Sequence, residues 1–277
     1  MPDTATSRYR TSLLSFLIAT FVLSWCIWLL PALAAHGVID LPGGMQVVAI
    51  VAGSFAPFVM GFVWVYRDGG WRAVREFASR ALAWRIGFTY LLPALLLSPL
   101  LGWAASWIYA SHGGPASELA VPVAQIPMVI LMLFFIGGSV NEEFGWGYAI
   151  DRMTEHRAPM LMAPLLGGIW GLWHLPLFFI VGLTQSFLPF WAFLIFTVAG
   201  RTLFVWAYFG ARRSLLATLL FHTATNLTLN LFVLVDRSGQ GNQLGFIAFA
   251  LLELVCATIV VLASAKFRRA PSATALA

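Results

Sequence analysis

Eight apolar runs of about twenty residues or more divide the chain, each as long as a helix rising 1.5 Å per residue needs to cross a hydrocarbon core of about 30 Å. They cover residues 12–35, 45–66, 86–110, 126–150, 159–183, 187–210, 215–235 and 244–265. A soluble fold cannot absorb them. Only 10% of the residues are charged, against about 25% in globular domains. The pattern predicts an all-α, polytopic integral membrane protein with about eight transmembrane helices. No linker or internal repeat divides it, so residues 1–277 read as a single transmembrane domain, with residues 270–277 as a disordered tail. Pro93, Pro99, Pro164 and Pro176 fall inside expected helices, where each removes a backbone hydrogen bond. Cys26 and Cys256 sit in apolar runs and indicate no disulfide framework.

The placement of charge gives the topology. Arg8 and Arg10, the segment 67–85, Arg152 and Arg157, Arg212 and Arg213, and Lys266 with Arg268 and Arg269 mark every second junction. The junctions between them, around Asp40, Glu118, Gln185 and Gly239, hold one basic residue, Arg237. By the positive-inside rule both termini are cytoplasmic. The net charge of +5 is therefore a set of topology signals and not a phosphate-binding patch, so lipid is expected as a partner and nucleic acid is not. Segment 67–85 places Trp71, Val74, Phe77 and Ala78 at helical spacing with arginines elsewhere, the pattern of an amphipathic helix lying on anionic lipid. Lys266 is the single lysine among sixteen basic residues, a bias that points to a GC-rich bacterial genome and hence to a bacterial inner membrane.

Three motifs interrupt the apolar runs with groups that hydrocarbon solvates badly: Asn141-Glu142-Glu143-Phe144-Gly145-Trp146, Trp170-Gly171-Leu172-Trp173-His174, and His222-Thr223-Ala224-Thr225-Asn226. An ionisable group at that depth costs about 2.5 kcal/mol or more unless it faces a protein or water-filled interior. Glu142 and Glu143 are adjacent and point about 100° apart on a helix, so one can act while the other supports. His222 and Asn226 share a face. Counted from the flanking arginines, Glu142 lies about 15 Å, His222 about 13 Å, Asn226 about 20 Å and His174 about 25 Å from the basic end, which sets the chemistry in the cytoplasmic half of the bilayer. A glutamate beside a histidine can hold and deprotonate a water, and a histidine with an asparagine can donate to a developing oxyanion. Thr223 and Thr225 stand near His222 as alternative nucleophiles, and the acids could also serve a transport relay. Two histidines and a glutamate form a zinc-ligand set elsewhere, but no His-Glu-x-x-His helix is present. No cofactor is expected. The tryptophans read as packing.

The three motifs, with Gly147-Tyr148 after the first and Leu175-Pro176 after the second, resemble the CAAX protease and bacteriocin-processing family of intramembrane glutamic endopeptidases, also called the Abi family. The likeness covers roughly residues 71–231. It implies that Glu142 activates a water, that His174 helps to position it, and that His222 and Asn226 stabilise the oxyanion, with Glu143 in support. The implied substrate is a peptide or protein, membrane-associated in the better-known members. One departure stands out: the family pattern Glu-Glu-x-x-x-Arg-Gly-Tyr is shortened here, with Gly147 directly after Trp146. The loss removes a support expected for Glu143 and turns the helix beyond Trp146 by about 100° relative to family members. Arg201, about 16 Å from Arg212, lies near the depth of Glu142 and requires an acidic partner, either Glu143 or Glu253. The missing arginine also favours an alternative, a proteolytically inactive relative acting as an immunity or scaffold membrane protein; the intact remaining motifs disfavour it.

Overall fold

A computed structural model describes residues 4–115, 118–238 and 242–265. The tail at 270–277 and the cluster of Lys266, Arg268 and Arg269 lie outside them, as do the side chains of Arg8 and Arg10. Among the described residues there are ten α-helices: α1 (Thr4–Ala35), α2 (Gly43–Ser54), α3 (Ala56–Ser79), α4 (Phe88–Ser111), α5 (Ile126–Ile136), α6 (Ser139–Met153), α7 (Pro159–Trp173), α8 (Phe190–Gly210), α9 (Leu215–Leu231) and α10 (Leu244–Ala263).

Each of the eight apolar runs forms helix, but two divide into separate α-helices and a third, 159–183, ends its α-helix at Trp173. Residues 45–66 divide at Phe55, where Pro57 opens α3 and cannot donate to the preceding turn. Residues 126–150 divide at Gly137 and Gly138 into α5 and α6, bent by 40°. Six segments are long and apolar enough to cross a membrane, or seven if the bent pair is one span, fewer than the eight expected. The missing one is α9. Its 17 residues reach about 25 Å, and the chain turns extended at Phe232. It is nonetheless central, packed against α4, α5, α6 and α8. The expected amphipathic segment is a continuation of α3 past a break at Gly69 and Gly70, ending in a 3-10 turn at Arg80–Leu82. Phe77 faces inward, while Trp71 and Arg72 are exposed.

The basic junctions meet at one end of the bundle. Arg80 pairs with Asp151 at 2.5 Å, Arg152 with Asp68 at 2.5 Å and with Glu155 at 3.0 Å, and Arg213 approaches Asp151 at 3.7 Å. Tyr148 and Tyr208 add hydroxyl contacts to Asp68 and Asp151, and Ser12 of α1 reaches Asp68 and Tyr148. The alternation in sequence is therefore an alternation in space. At the opposite end an antiparallel bridge joins Leu119 to Phe232, and Arg237 donates to Thr184.

Helix α6 is seated by close backbone approach to α3. A Cβ on Gly61 would lie 3.0 Å from the Gly145 Cα, and one on Gly145 would collide with the Pro57 carbonyl. Small residues let membrane helices pack at this distance, where dispersion replaces the hydrophobic drive that lipid does not supply. Gly145→Val is expected to cost about 1–3 kcal/mol by overpacking. A thermal unfolding scan in detergent should read a lower midpoint; an unchanged one would mean that α3 and α6 do not meet here.

Candidate active site

The break between α5 and α6 sets the position of the acids. Gly138 has φ +121°, a conformation that a side chain disfavours, and a Cβ there would lie 2.7 Å from Asn226 Nδ2 and 2.8 Å from His222 Nε2. Helix α6 restarts at once. The Gly138 amide donates to Asn141 Oδ1 at 2.9 Å, and Asn141 Nδ2 donates to Ser54 Oγ at 2.6 Å. The start of α6 is thereby tied to the end of α2, with Glu142 in its first turn.

Glu143 points into the bundle. Arg201 of α8 donates to both of its oxygens, at 2.7 and 3.0 Å, and His222 Nδ1 of α9 donates to Oε1 at 2.8 Å. All three side chains are buried to 2% exposure or less. Of the two acids available to Arg201, the one it pairs with is Glu143; Glu253 instead accepts from Ser98 Oγ at 2.9 Å. The Arg201 guanidinium also lies 4.4 Å from the centre of the Trp170 ring. The motif arginine is absent from α6, but a bidentate guanidinium reaches Glu143 from another helix. Leu215 occupies the space that a side chain at 147 would enter.

Glu142, turned about 100° from its neighbour, faces a different environment. Its Oε2 accepts from Trp170 Nε1 at 2.6 Å and from Trp146 Nε1 at 3.3 Å. Tryptophans that read as packing are therefore donors to an acid. Trp146 sits one helical turn after Glu142, a spacing visible in the sequence, whereas the reach of Trp170 from α7 depends on the tertiary fold. Trp173, which also read as packing, donates to Ser24 Oγ at 2.8 Å.

His174 follows the last residue of α7, where Pro176 starts a 3-10 turn over Leu175–Phe179. The helix ends here instead of kinking. His174 Nδ1 contacts the Trp170 carbonyl at 2.8 Å; a carbonyl only accepts, so Nδ1 carries the proton and Nε2 of the neutral ring presents a lone pair. Asn226 Nδ2 donates to the Gly137 carbonyl at 2.6 Å, leaving its second N–H. The Trp170 ring stands edge-on to both imidazoles, 5.4 Å from each.

These groups converge on one cavity of about 220 Å³, lined by Glu142, His174, His222 and Asn226 together with Gly138 and Trp170. It has room for several waters at about 30 Å³ each. Among the described residues no group of three or more His, Cys, Asp or Glu side chains is placed to hold a metal ion. Both Glu143 oxygens and the Nδ1 atoms of both histidines are already engaged. The sequence reading quoted Asn141 at the head of the first motif without giving it a role, and missed Gly138 and Ser54; all three line the cavity. Its only signal for Gly138 was the Gly137-Gly138 pair inside an apolar run.

Comparison with known proteins gives the same reading from outside the structure. Residues 124–228, which contain all three motifs, match the family described as Type II CAAX prenyl endopeptidase Rce1-like. The chain is 22% identical over 269 residues to CAAX prenyl protease 2 of Methanococcus maripaludis, covering 92% of this chain and 95% of that protein. The stretch that carries this cluster of side chains is thus similar to the CAAX prenyl endopeptidases, within a helical membrane bundle.

Proposed function

We propose that the cavity hydrolyses a peptide bond in a membrane-associated polypeptide, with Glu142 as the base that activates a water. The observation that carries this reading is the convergence of Glu142, His174, His222 and Asn226 on one cavity, with Glu142 Oε1 and both imidazole Nε2 atoms unpaired among the described residues. Water held between Glu142 and His174 Nε2 gives its proton to the carboxylate as its oxygen adds to the scissile carbonyl. The protonated acid then delivers that proton to the leaving amine. The oxyanion formed in between meets His222 and the second N–H of Asn226. Because His222 Nδ1 donates to Glu143, its Nε2 can donate to the oxyanion only from a doubly protonated ring, held between that oxyanion and the Glu143 carboxylate.

Arg201 fixes Glu143 in this arrangement and so acts as a positioning residue in place of the motif arginine. That supply of a guanidinium supports the hydrolase reading over an inactive immunity or scaffold protein, which the missing motif arginine favoured. The reaction needs no cofactor in this reading, since Glu142 and His174 hold and deprotonate the water themselves. The protein works in a bacterial inner membrane with both termini in the cytoplasm.

Glu142→Gln should keep insertion intact and lower cleavage by about 10²–10⁴-fold, the usual contribution of a general base. Peptide profiles of membranes carrying the intact chain and the variant would read this; products that persist in the variant would return the non-proteolytic alternative. His174→Ala and His222→Ala should behave in the same way. Arg201→Met leaves the buried Glu143 charge without its guanidinium and should cost about 3–5 kcal/mol of stability, while adding Glu143→Met should recover most of that in a thermal scan without recovering cleavage. Chelators of divalent metals should leave the rate unchanged, and loss of activity restored by zinc would reinstate a metal mechanism.

A further inference from the structure

The cavity is closed towards the basic end of the bundle and open towards the other. Its floor is Glu142, nine residues before Asp151 and so about 13 Å from the basic junctions, with His222 at a similar height. Below that floor the bundle is filled by Trp146, Phe204, Phe221 and Leu215, each fully buried. The rest of the lining lies further from the arginines. Ile50 and Val51 lie in the second half of α2, the helix that starts at the far end, Ile136 ends the α5 segment that descends from it, Leu229 is within one turn of the last residue of α9, and Gln185 is in the far junction itself. Glu142 and His222 at the floor are buried at 5% or less, whereas on the far side Ile136 is 46% exposed and Val51, Gln185, Asn226 and Leu229 are half-buried; Trp173 and Phe193, further from the arginines as well, stay buried as the cavity wall. The floor of the cavity thus lies in the half nearest the arginines and its mouth in the other.

The two ends also differ in charge. Among the described residues the pairs Arg80–Asp151, Arg152–Asp68 and Arg213–Asp151 link one junction to another at the basic end, while Asp40, Glu118, Asp236 and Arg237 occupy the far one. Arginine-rich junctions stay on the cytoplasmic side. We infer that the cavity of this protein receives its substrate from the extracytoplasmic side, which makes that substrate a polypeptide already inserted in or exported across the membrane, not the carboxyl terminus of a cytosolic protein. A reaction that translocates or inserts the polypeptide must therefore come first. The inference rests on reading this cavity as the substrate site. A chain entering from the basic side would have to displace the aromatic floor and the Glu143 ion pair.

The test is the sidedness of the mouth, read without any cleavage assay. In a full-length chain with Cys26 and Cys256 replaced by serine, Val51→Cys and Leu229→Cys place a thiol at the mouth by two independent helices. Glu118→Cys marks the far end and Ser79→Cys the basic end. A charged, membrane-impermeant maleimide is applied to right-side-out and to inside-out vesicles. Both mouth thiols should be modified together with Glu118→Cys in right-side-out vesicles and spared in inside-out ones, where Ser79→Cys reacts. Modification alongside Ser79→Cys, modification from neither face, or a Glu118→Cys thiol that reacts only from the cytoplasmic face would each overturn the inference. Since labelling requires no turnover, a failure here leaves the hydrolase reading standing, and a failure of the Glu142 experiment leaves this one standing.

Discussion

One buried ion pair organises the interior. A carboxylate in the apolar centre of a membrane bundle is tolerated only if its charge and its lone pairs are met on the spot, and Glu143 meets that condition with a forked guanidinium and an imidazole N–H. The three side chains come from α6, α8 and α9, so forming the pair fixes three helices relative to one another. The Arg201 guanidinium lying over Trp170 brings in α7. With Glu143 committed inward, the helical turn between adjacent residues sends Glu142 elsewhere, onto two indole N–H donors and the cavity wall. The same commitment orients His222, whose Nδ1 is held and whose Nε2 is left at the cavity beside Gly138.

The shortened motif shows how a bundle can lose a residue and keep the charge it supplied. What Glu143 requires is a planar donor at its own depth, and the chain position of that donor is immaterial provided its helix passes nearby. Arg201 satisfies this from α8. Its Nε has no partner among the described residues, so the guanidinium spends its donors at the forked end and relies on the Trp170 and Phe204 rings for the rest of its environment. A lysine could not reproduce that contact, having neither the planar fork nor the face that stacks.

Much of this was legible before any coordinates. The apolar runs and the alternating arginines are coarse, repeated signals, and the costly polar groups announce the site because hydrocarbon makes each of them expensive. The partner of Arg201 was narrowed to two acids by depth arithmetic alone. What escaped was whatever depends on lateral position. Counting residues gives a height and not a direction, so the opening of the cavity was invisible, and the donors to Glu142 passed for packing because an indole N–H reveals its role only through its partner. The breaks at Phe55 and Gly138 were missed because Gly and Pro are ordinary constituents of membrane helices. The shortfall in span number has a similar cause: α9 unwinds at Leu231 while its sequence remains apolar to Val235.

The interruption at Gly138 does more than make room for an imidazole. Where a helix begins, its first amides have no carbonyl beneath them, and the aligned peptide units amount to about half a positive charge at that end. A rod running unbroken from Val123 to Met153 would bring that charge to the surface, where water erases it. By starting again in the middle of the bundle, α6 delivers it to the interior, at the cavity wall and within a turn or so of both carboxylates. Part of the countercharge for two adjacent anions is therefore drawn from the peptide backbone, and it persists whatever side chains the neighbouring helices present.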